Sequence, residues 1–205
     1  IEYKDEKKHD PVTAADKKSQ AYLIEELSRQ FPEHSIVGEE GEDGEETVAS
    51  DFVWVLDPLD GTTNFLNGLP IYAASIGLLH RGVPIVGALF IPWPGSEPGT
   101  VLHARRGGGA WVGDSPLSIP TPAEPDGSRI AGLPASFGAQ FRLDKATRRG
   151  IGDPRITGSI AYELALAGRG VLRYVLFGNP RIWDVAAGAL IVEEAKGTVL
   201  VGQKR

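Results

Sequence analysis

The segment DFVWVLDPLDGTTNF, residues 51–65, decides the fold of this chain. It begins with an apolar run that stops abruptly at Asp57, and a second acid, Asp60, follows three positions later. A continuous apolar run closed by turn residues is typical of a buried strand. Gly61 lets a ligand approach the backbone closely, and a helix beginning near Thr62 would point its first N–H groups into the same space.

Two acids beside unsatisfied N–H groups suit a site that binds cations and a phosphate together. Mg²⁺ prefers carboxylate oxygens and is usually held by one or two acids together with substrate phosphate. The alternative is a plain turn, because Asp and Pro are both common turn residues. A strand that delivers Asp57 and Asp60 to one point favours the metal interpretation over the turn.

Composition limits the class of protein. The 205 residues, 41% of them hydrophobic, can bury a sizeable core in one domain or in two intimately packed lobes. A net charge of −6 excludes a general attraction to nucleic acid or to an anionic membrane. The chain has neither a membrane-spanning apolar run nor a visible signal peptide, and the absence of cysteine excludes disulfides. We therefore expect a cytoplasmic protein; since methionine is also absent, we expect further residues in the full gene product.

The hydrophobic pattern predicts an alternation of strands and helices. Strands are expected at 35–38, 52–56, 71–80, 83–91, 100–104, 110–112 and 171–177. Helices are expected at 14–30, from 158 to about 168, and from 183 to beyond 192, the last apolar all round and therefore buried. Loops are expected at 1–10, 41–50, 92–99 and 113–129; 107–109 is predicted as a hairpin turn, 130–157 has no clear pattern, and 145–149 should be a solvated basic face.

Several other polar residues have ordinary explanations when each is taken alone. Glu39 and Glu40 precede an acidic loop, which is typical of a surface. Asp184 stands where a helix N-cap is expected, and Asp16 stands in the third position of a capping box. Thr62 is equally suited to a helix cap and to holding a water molecule.

Taken together, five segments resemble the inositol monophosphatase family, part of a superfamily of Mg²⁺-dependent, lithium-sensitive sugar and inositol phosphatases. They are HDPVTAAD (9–16), SIVGEE (35–40), DPLDGTTNF (57–65), GSIAYELALAGRG (158–170) and WDVAAGALIVEEAKG (183–197). The resemblance implies an α/β (α+β) fold, a layered sandwich of alternating helices and sheets of the inositol monophosphatase/fructose-1,6-bisphosphatase type. It also implies a single unit, residues 1–205, with two intimately packed lobes of about 1–125 and 126–205.

The same resemblance implies the site residues. The metal ligands would be Glu39, Asp57, the backbone carbonyl of Leu59, Asp60 and Asp184. The catalytic residues would be Asp16 and Thr62, which orient and deprotonate the attacking water, together with Glu39. The substrate-binding residues would be Asp60, Gly61, Thr62, Thr63, Gly158, Ser159, Arg181 and Asp184, with the amides of Gly61 and Thr62 cradling the phosphate.

The implied function is Mg²⁺-dependent hydrolysis of a small phosphate monoester by metal-activated water, without a phosphoenzyme, at a site with two or three Mg²⁺ ions. Inositol monophosphate leads as substrate, and fructose 1,6-bisphosphate or another sugar phosphate is the alternative. The expected partners are a small phosphorylated polyol or sugar and a second copy in a homodimer, with no nucleic acid and no membrane. The alternative from a different class is a non-catalytic relative that binds metal or phosphate; the presence of both Asp16 and Thr62 favours an enzyme.

Three positions depart from the family pattern in ways that bear on substrate. Leu176 or Phe177 stands where many inositol phosphatases carry a hydroxyl-binding Glu, and Leu172 stands where Asp is common. Loss of a hydroxyl acceptor should change selectivity among polyols. Arg181 is placed either to meet a second anionic group or simply to face solvent. The chain also ends short of the family's usual C-terminal segment.

Overall fold

The computed structural model of the protein describes residues 2–3, 11–40, 50–93, 97–119, 130–135, 137, 150 and 152–202. The strands in these ranges are β1 (Glu2–Tyr3), β2 (Pro11–Val12), β3 (Ser35–Gly38), β4 (Phe52–Asp60), β5 (Ala73–His80), β6 (Val83–Ile91), β7 (Thr100–Arg105), β8 (Gly109–Val112), β9 (Ser115–Leu117), β10 (Ile130–Gly132), β11 (Asp153–Arg155) and β12 (Tyr174–Val175). The main helices are α1 (Ala14–Gln30), α2 (Thr62–Leu66), α3 (Ile160–Gly168) and α4 (Ile182–Glu194).

The largest element is a seven-stranded mixed sheet in the order β3-β4-β5-β6-β7-β8-β9. Only β3 and β4 run parallel; each later strand pairs antiparallel with the one before it. The predicted hairpin between β5 and β6 is confirmed, and its two turn residues, Arg81 and Gly82, both have positive φ. Two successive positive φ angles give a turn whose twist matches that of the flanking strands. Short turns therefore keep this part of the sheet in chain order.

Side-chain alternation along β4 places a helix on each face of the sheet. Trp54 and Leu56 pack on one face with Leu23 and Leu27 of α1, as the periodicity of that helix predicts. Val55, which points to the opposite face, packs with Ala186 of α4. Asp57 lies two residues after Val55, so both side chains are on the face of β4 that α4 covers.

The α4 face also carries the main core. Helices α3 and α4 pack against each other and, with β5 to β8, bury a continuous apolar cluster. A smaller parallel sheet, in the order β11-β10-β12, lies against α3 through β12. The predicted layered α/β sandwich is therefore confirmed, whereas the division into two lobes near residue 125 stays a prediction.

Glycines let α4 lie unusually close to the sheet. Gly77 and Gly87 are cross-strand partners under the helix. A Cβ atom on Gly87 would lie 2.8 Å from both Cα and the carbonyl oxygen of Ala187. The buried hydroxyl of Ser75 donates a hydrogen bond of 2.9 Å to the carbonyl oxygen of Trp183, which ties the first turn of α4 to β5.

Three sequence-based predictions of secondary structure are wrong in detail. Residues 1–10 are not all loop, because β1 pairs antiparallel with β2. The stretch 113–129 is not all loop either, because β9 pairs with β8. The strand expected at 171–177 shrinks to β12, because the backbone N–H groups of Val171 and Leu172 turn back to the carbonyl of Leu166 and finish the end of α3.

The remaining predictions of local structure have separate outcomes. Within the described part of the chain, no helix is long and apolar enough to cross a membrane. The turn at 107–109 between β7 and β8 is confirmed. The predicted acidic loop at 41–49 and the basic face at 145–149 lie outside the described residues.

Candidate active site

A bulge in β4 brings the two acids of the opening segment together. The strand does not stop at Leu56, as the sequence suggested, but continues to Asp60 with a shift in register. Asp57 pairs with Ser75 and Asp60 pairs with Ala73. Between these two pairs β4 advances by three residues and β5 by only two, so β4 contains one extra residue. Residues three apart in a regular strand point to opposite faces. The extra residue of the bulge brings the side chains of Asp57 and Asp60 back to the same face. The bulge also explains why Pro58, which cannot donate to a ladder, is tolerated there.

A hydrogen-bonded chain links the predicted catalytic pair across the fold. The Thr62 hydroxyl lies 3.1 Å from Oδ1 of Asp16 and 3.0 Å from the carbonyl oxygen of Leu59. Asp16 is buried, and its other oxygen accepts from the backbone N–H and the hydroxyl of Thr13. Asp16 is thus both the capping-box residue that the sequence suggested and a partner of Thr62. Thr62 does not cap α2; that position belongs to Gly61, whose φ is +94°.

Four carboxyl groups, Glu39, Asp57, Asp60 and Asp184, influence one another in the same region. Burial is the largest cause of the rise in the pKa of Asp57 to about 10, and the other three carboxylates add to it. A hydrogen bond between Glu39 and Asp57 contributes to the same rise. Burial also raises the pKa of Asp60 to about 7, against the opposing effect of the N–H and O–H donors that it receives from α3 and Ser159. Both shifts favour the protonated forms of Asp57 and Asp60, and a bound cation would replace these protons.

The donor chemistry of this cluster fits a hard divalent cation. Carboxylate and carbonyl oxygens are the ligands that Mg²⁺ prefers, and the chain has no cysteine to select a softer metal. Across the described ranges, however, no three acids or histidines already converge as a complete metal cage. The two observations are compatible, because electrostatic influence between carboxyl groups reaches farther than direct coordination of one ion.

Asp60 is fixed by the start of α3. Its Oδ2 accepts a hydrogen bond of 2.9 Å from the hydroxyl of Ser159 and another from the backbone N–H of Ala161. Ser159 is the N-cap of α3, and the same hydroxyl accepts from the N–H of Tyr162. A carboxylate near the first turn of a helix is favoured by the helix dipole. The predicted substrate residue Ser159 thus contacts the predicted metal ligand Asp60 directly.

Glu39 lies where β3 ends beside β4. Its backbone N–H donates to the carbonyl of Leu56 at 3.0 Å, which continues the parallel pairing by one residue. The next residue, Glu40, donates its N–H to the side-chain oxygen of Gln20 at 3.0 Å. Gln20 is a buried residue of α1, so α1 positions this acidic turn as well as Asp16.

Asp184 lies in the first turn of α4 but is not its N-cap. The cap is Arg181, and Oδ2 of Asp184 accepts the Arg181 backbone N–H at 2.7 Å from the third helical position. The interpretation of Asp184 as an N-cap is therefore wrong by three residues. The bond from Ser75 to the preceding carbonyl, that of Trp183, holds this turn near Asp57.

The other predicted substrate residues lie in the turns and helix starts that carry the cluster. Gly61 packs against Ser159, where a Cβ atom would lie 3.1 Å from the serine Cβ. Gly158, with φ +79°, lies against Asn64 of α2. Thr63 is exposed in α2, and the Arg181 side chain is exposed where α4 begins.

Four polar residues that the sequence analysis overlooked organise the site. Ser75 holds α4, while Asn64 donates to the carbonyls of Ile71 and Thr157 at 2.7 and 2.8 Å. Glu163, buried in α3, accepts from both the N–H and the hydroxyl of Thr157. Ser75 and Glu163 had a usable signal, because each is a polar residue inside a largely apolar element.

Comparison with protein families gives one match that covers nearly the whole chain. The model of the inositol monophosphatase family matches residues 1–204. The match includes every element of the cluster, from α1 to α4.

Relatives of this chain carry two kinds of name. A protein of Aquifex aeolicus (strain VF5) named fructose-1,6-bisphosphatase/inositol-1-monophosphatase is 33% identical over 212 residues, which cover 99% of this chain and 76% of that protein. A protein of Haemophilus influenzae named Nus factor SuhB is 36% identical over 197 residues, which cover 93% of this chain and 72% of that protein. Among solved structures, inositol monophosphate-bound SaIMPase-II is 27% identical with a TM-score of 0.73, covering 91% of this chain and 71% of the other.

Proposed function

Because the chain belongs to the inositol monophosphatase family, we propose that it hydrolyses the phosphate monoester of a small polyol or sugar with the help of Mg²⁺. The observation that carries this proposal is the bond between Asp16 and Thr62, 46 positions apart, beside the four-acid cluster. Capping of α1 uses Oδ2 of Asp16 and does not require the bond from Thr62 to Oδ1, so this bond favours an enzyme over a protein that only binds phosphate. We take inositol monophosphate as the first substrate to test, which agrees with the ligand of SaIMPase-II.

The cation would be held by the carboxylates of Glu39, Asp57, Asp60 and Asp184 and by the carbonyl of Leu59, with two or three Mg²⁺ ions in all. When bound, Mg²⁺ would neutralise phosphate charge, lower the pKa of the attacking water and stabilise the leaving alkoxide. Binding would also replace the protons on Asp57 and Asp60, since metal ligands must be deprotonated.

Thr62 and Asp16 would handle the proton of the attacking water. A hydroxyl can donate one hydrogen bond, and in the proposed active arrangement Thr62 would donate it to Oδ1 of Asp16. The Thr62 oxygen then accepts from the water, which fixes the water's orientation and opens a path for its proton toward the buried carboxylate. Glu39, next to Asp57, would assist as a second base. Positioning and charge, rather than a covalent intermediate, would then supply most of the rate.

The substrate would lie against the turn that follows β4. The backbone amides of Gly61 and Thr62 would contact the phosphate, and the positive φ of Gly61 keeps a Cβ atom out of that approach. Thr63, Gly158, Ser159 and Arg181 would line the remainder of the substrate site. Lithium sensitivity and a homodimer belong to the same proposal because the family resemblance implies them, and a cytoplasmic location belongs to it because of the composition of the chain.

Fructose 1,6-bisphosphate is the second candidate substrate. The exposed side chain of Arg181 begins the helix that carries Asp184, so it is placed to meet a second phosphate on the same molecule. The name of the Aquifex relative includes both activities. The candidate from a different class is a non-catalytic protein that binds metal or phosphate, and the relatives named Nus factor show that members of this family carry names other than phosphatase.

Phosphate release tests all three possibilities. The purified protein is given inositol 1-phosphate, fructose 1,6-bisphosphate and a chromogenic ester, each with Mg²⁺ and with a chelator. We expect release that depends on Mg²⁺, and hydrolysis in labelled water should place one solvent oxygen in the phosphate. The matched control is Thr62→Ser, which keeps the hydroxyl, beside Thr62→Val, which removes it. Absence of release from every ester would reject the enzymatic proposal.

A further inference from the structure

We propose that Glu163 is a positioning residue that sets the affinity of the site for its cation, acting through Thr157 and Ser159 on Asp60. This inference rests on the proposed function, because it treats Asp60 as a ligand of Mg²⁺. Glu163 itself does not contact Asp60: it lies one turn into α3 and reaches the acid only through the turn at residues 157–159.

The first step joins Glu163 to Thr157. Oε1 of Glu163 accepts the Thr157 hydroxyl at 2.8 Å and the Thr157 backbone N–H at 3.2 Å. Glu163 is only 5% exposed, and its other oxygen lies against the backbone of Gly132, where a Cβ atom would be 2.6 Å away. A side chain confined by packing and holding two donors on one oxygen fixes those donors firmly.

The second step joins Thr157 to Ser159. The Thr157 oxygen lies 3.4 Å from the N–H of Ser159 and 3.2 Å from its carbonyl oxygen. Since the single hydroxyl proton is drawn to Glu163 by the shorter contact, the oxygen can accept from the Ser159 N–H. Gly158 completes this turn with φ +79°, a conformation that suits glycine. The side chain of Thr157 therefore closes this turn, and its hydrogen bond to Glu163 orients it.

The third step reaches the cluster. Ser159 donates its hydroxyl to Oδ2 of Asp60, and on the opposite side of the turn the carbonyl of Thr157 accepts from Asn64. Glu163 and Asn64 thus hold Thr157 from two elements, α3 and α2. If Glu163 is lost, the turn loses one of these two supports, and the bond from Ser159 no longer fixes the orientation of Asp60.

Groups that orient metal ligands typically change metal affinity about 10–100-fold when they are removed. The test titrates Mg²⁺ alone into the full chain at constant temperature and records by calorimetry the Mg²⁺ concentration at half-saturation, the Mg²⁺ midpoint, so no turnover is needed. Glu163→Ala should raise this concentration about tenfold. Glu163→Gln, whose amide oxygen still accepts both donors, should restore the wild-type value.

Glu194→Ala is the matched control. Glu194 also accepts two backbone N–H groups, from Gly107 and Gly109 at 2.8 and 2.9 Å, but it lies at the far end of α4 from Asp184. This variant should lose stability and keep the wild-type Mg²⁺ midpoint. If Glu163→Ala and Glu194→Ala show the same unchanged midpoint, Glu163 has a structural role only and the inference is wrong.

A second variant protects the test against misfolding. Thr157→Val removes the hydroxyl that joins Glu163 to Ser159 and keeps the backbone N–H bond to Glu163. It should raise the Mg²⁺ midpoint as Glu163→Ala does, and an unchanged midpoint would overturn the inference even if Glu163→Ala does not fold. A wild-type protein that neither responds to Mg²⁺ nor releases phosphate would overturn the proposed function as well. A wild type that responds to Mg²⁺, beside variants that keep the wild-type Mg²⁺ midpoint, would overturn this inference alone.

Discussion

Replacement of Gly87 by alanine should loosen the helix that carries Asp184. The new methyl group would lie 2.8 Å from Cα and from the carbonyl oxygen of Ala187, about 0.6 Å short of an ordinary contact of 3.4 Å. Both opposing atoms belong to the backbone of α4, so no side chain can rotate out of the way. The helix or the strand must move, at a position one helical turn beyond Asp184.

Two opposing effects decide the size of the change. Alanine restricts the unfolded chain more than glycine does, which stabilises the protein by about 0.4–1 kcal/mol. Overpacking of a close interface costs about 1–3 kcal/mol. The net loss should be about 1–2 kcal/mol, which lowers the melting temperature of a domain of this size by roughly 2–8 °C. Movement of Asp184 should in addition raise the Mg²⁺ concentration needed for the thermal shift several-fold, in line with the cost of disturbing a metal ligand.

The assay is thermal unfolding of the variant in chelator and across a Mg²⁺ titration, so that packing and metal effects separate. Gly77→Ala is a graded comparison, because its methyl group would meet the side chains of Val55 and Ala186 at 3.0 and 3.2 Å and the backbone nitrogen of Ala187 at an ordinary contact distance of 3.4 Å. Gly202→Ala, which points into open space, is the neutral control. A Gly87→Ala protein with wild-type stability and a wild-type Mg²⁺ midpoint would show that α4 does not lie this close to the sheet.

Four further predictions follow from the site. Asp57→Asn should abolish both phosphate release and the rise in melting temperature with Mg²⁺, because it removes a ligand from the bulge of β4; a preserved thermal shift would contradict its role as a ligand. Thr62→Val should lower kcat about 10²–10⁴-fold and leave the Mg²⁺ shift in place, since it removes a proton-handling hydroxyl rather than a ligand; equal losses in kcat and Mg²⁺ response would point to a ligand instead. Ser75→Ala should lower the free energy of unfolding by about 1–3 kcal/mol, measured by urea denaturation, because the carbonyl of Trp183 loses its donor in a buried place; Ser75→Thr keeps the donor but adds a methyl group in the core, so only the alanine variant is diagnostic. The folded-state pKa values of Asp57 and Asp60, about 10 and about 7, lie above their usual 3.8, so the stability that their protonated forms contribute is complete below about pH 4 and is lost as the pH rises through the folded values. Mg²⁺ binding at pH 7 should therefore release about one to two protons, measured by calorimetry in buffers of different ionisation enthalpy, and the number should fall toward one above pH 8; binding without proton release would be inconsistent with this electrostatic picture.

Much of the fold was predictable because its elements have strong local patterns. The apolar run that begins β4, the β5–β6 hairpin and the all-apolar α4 each bury one or both faces, and burial imposes a period that can be read directly. Two short strands, β9 and β11, were not predictable in this way. They owe their existence to a neighbouring strand rather than to their own residues.

The site was predictable as a set of residue types but not as a geometry. Local pattern placed Asp57 and Asp60 near the end of a strand, but the bulge that turns them to one side depends on how many residues β5 places opposite. The resemblance to a family supplied the distant members, Asp16 and Asp184. Glu163 is visible in the sequence as an acid within an apolar helix, but its role is defined by the turn that it contacts, and no pattern of residue types predicts that contact.

The close contact of α4 with Gly77 and Gly87 of the sheet has a consequence for how the protein folds during synthesis. Asp184 is carried by the last described helix, so nearly the whole described chain must leave the ribosome before this helix can cover β4. Until then, water solvates the carboxylates of the bulge, and they bear their charge at no cost. The carboxylate cluster therefore gains its affinity for a cation when α4 packs on the sheet. A newly made chain would gain this affinity in a single step and not in stages.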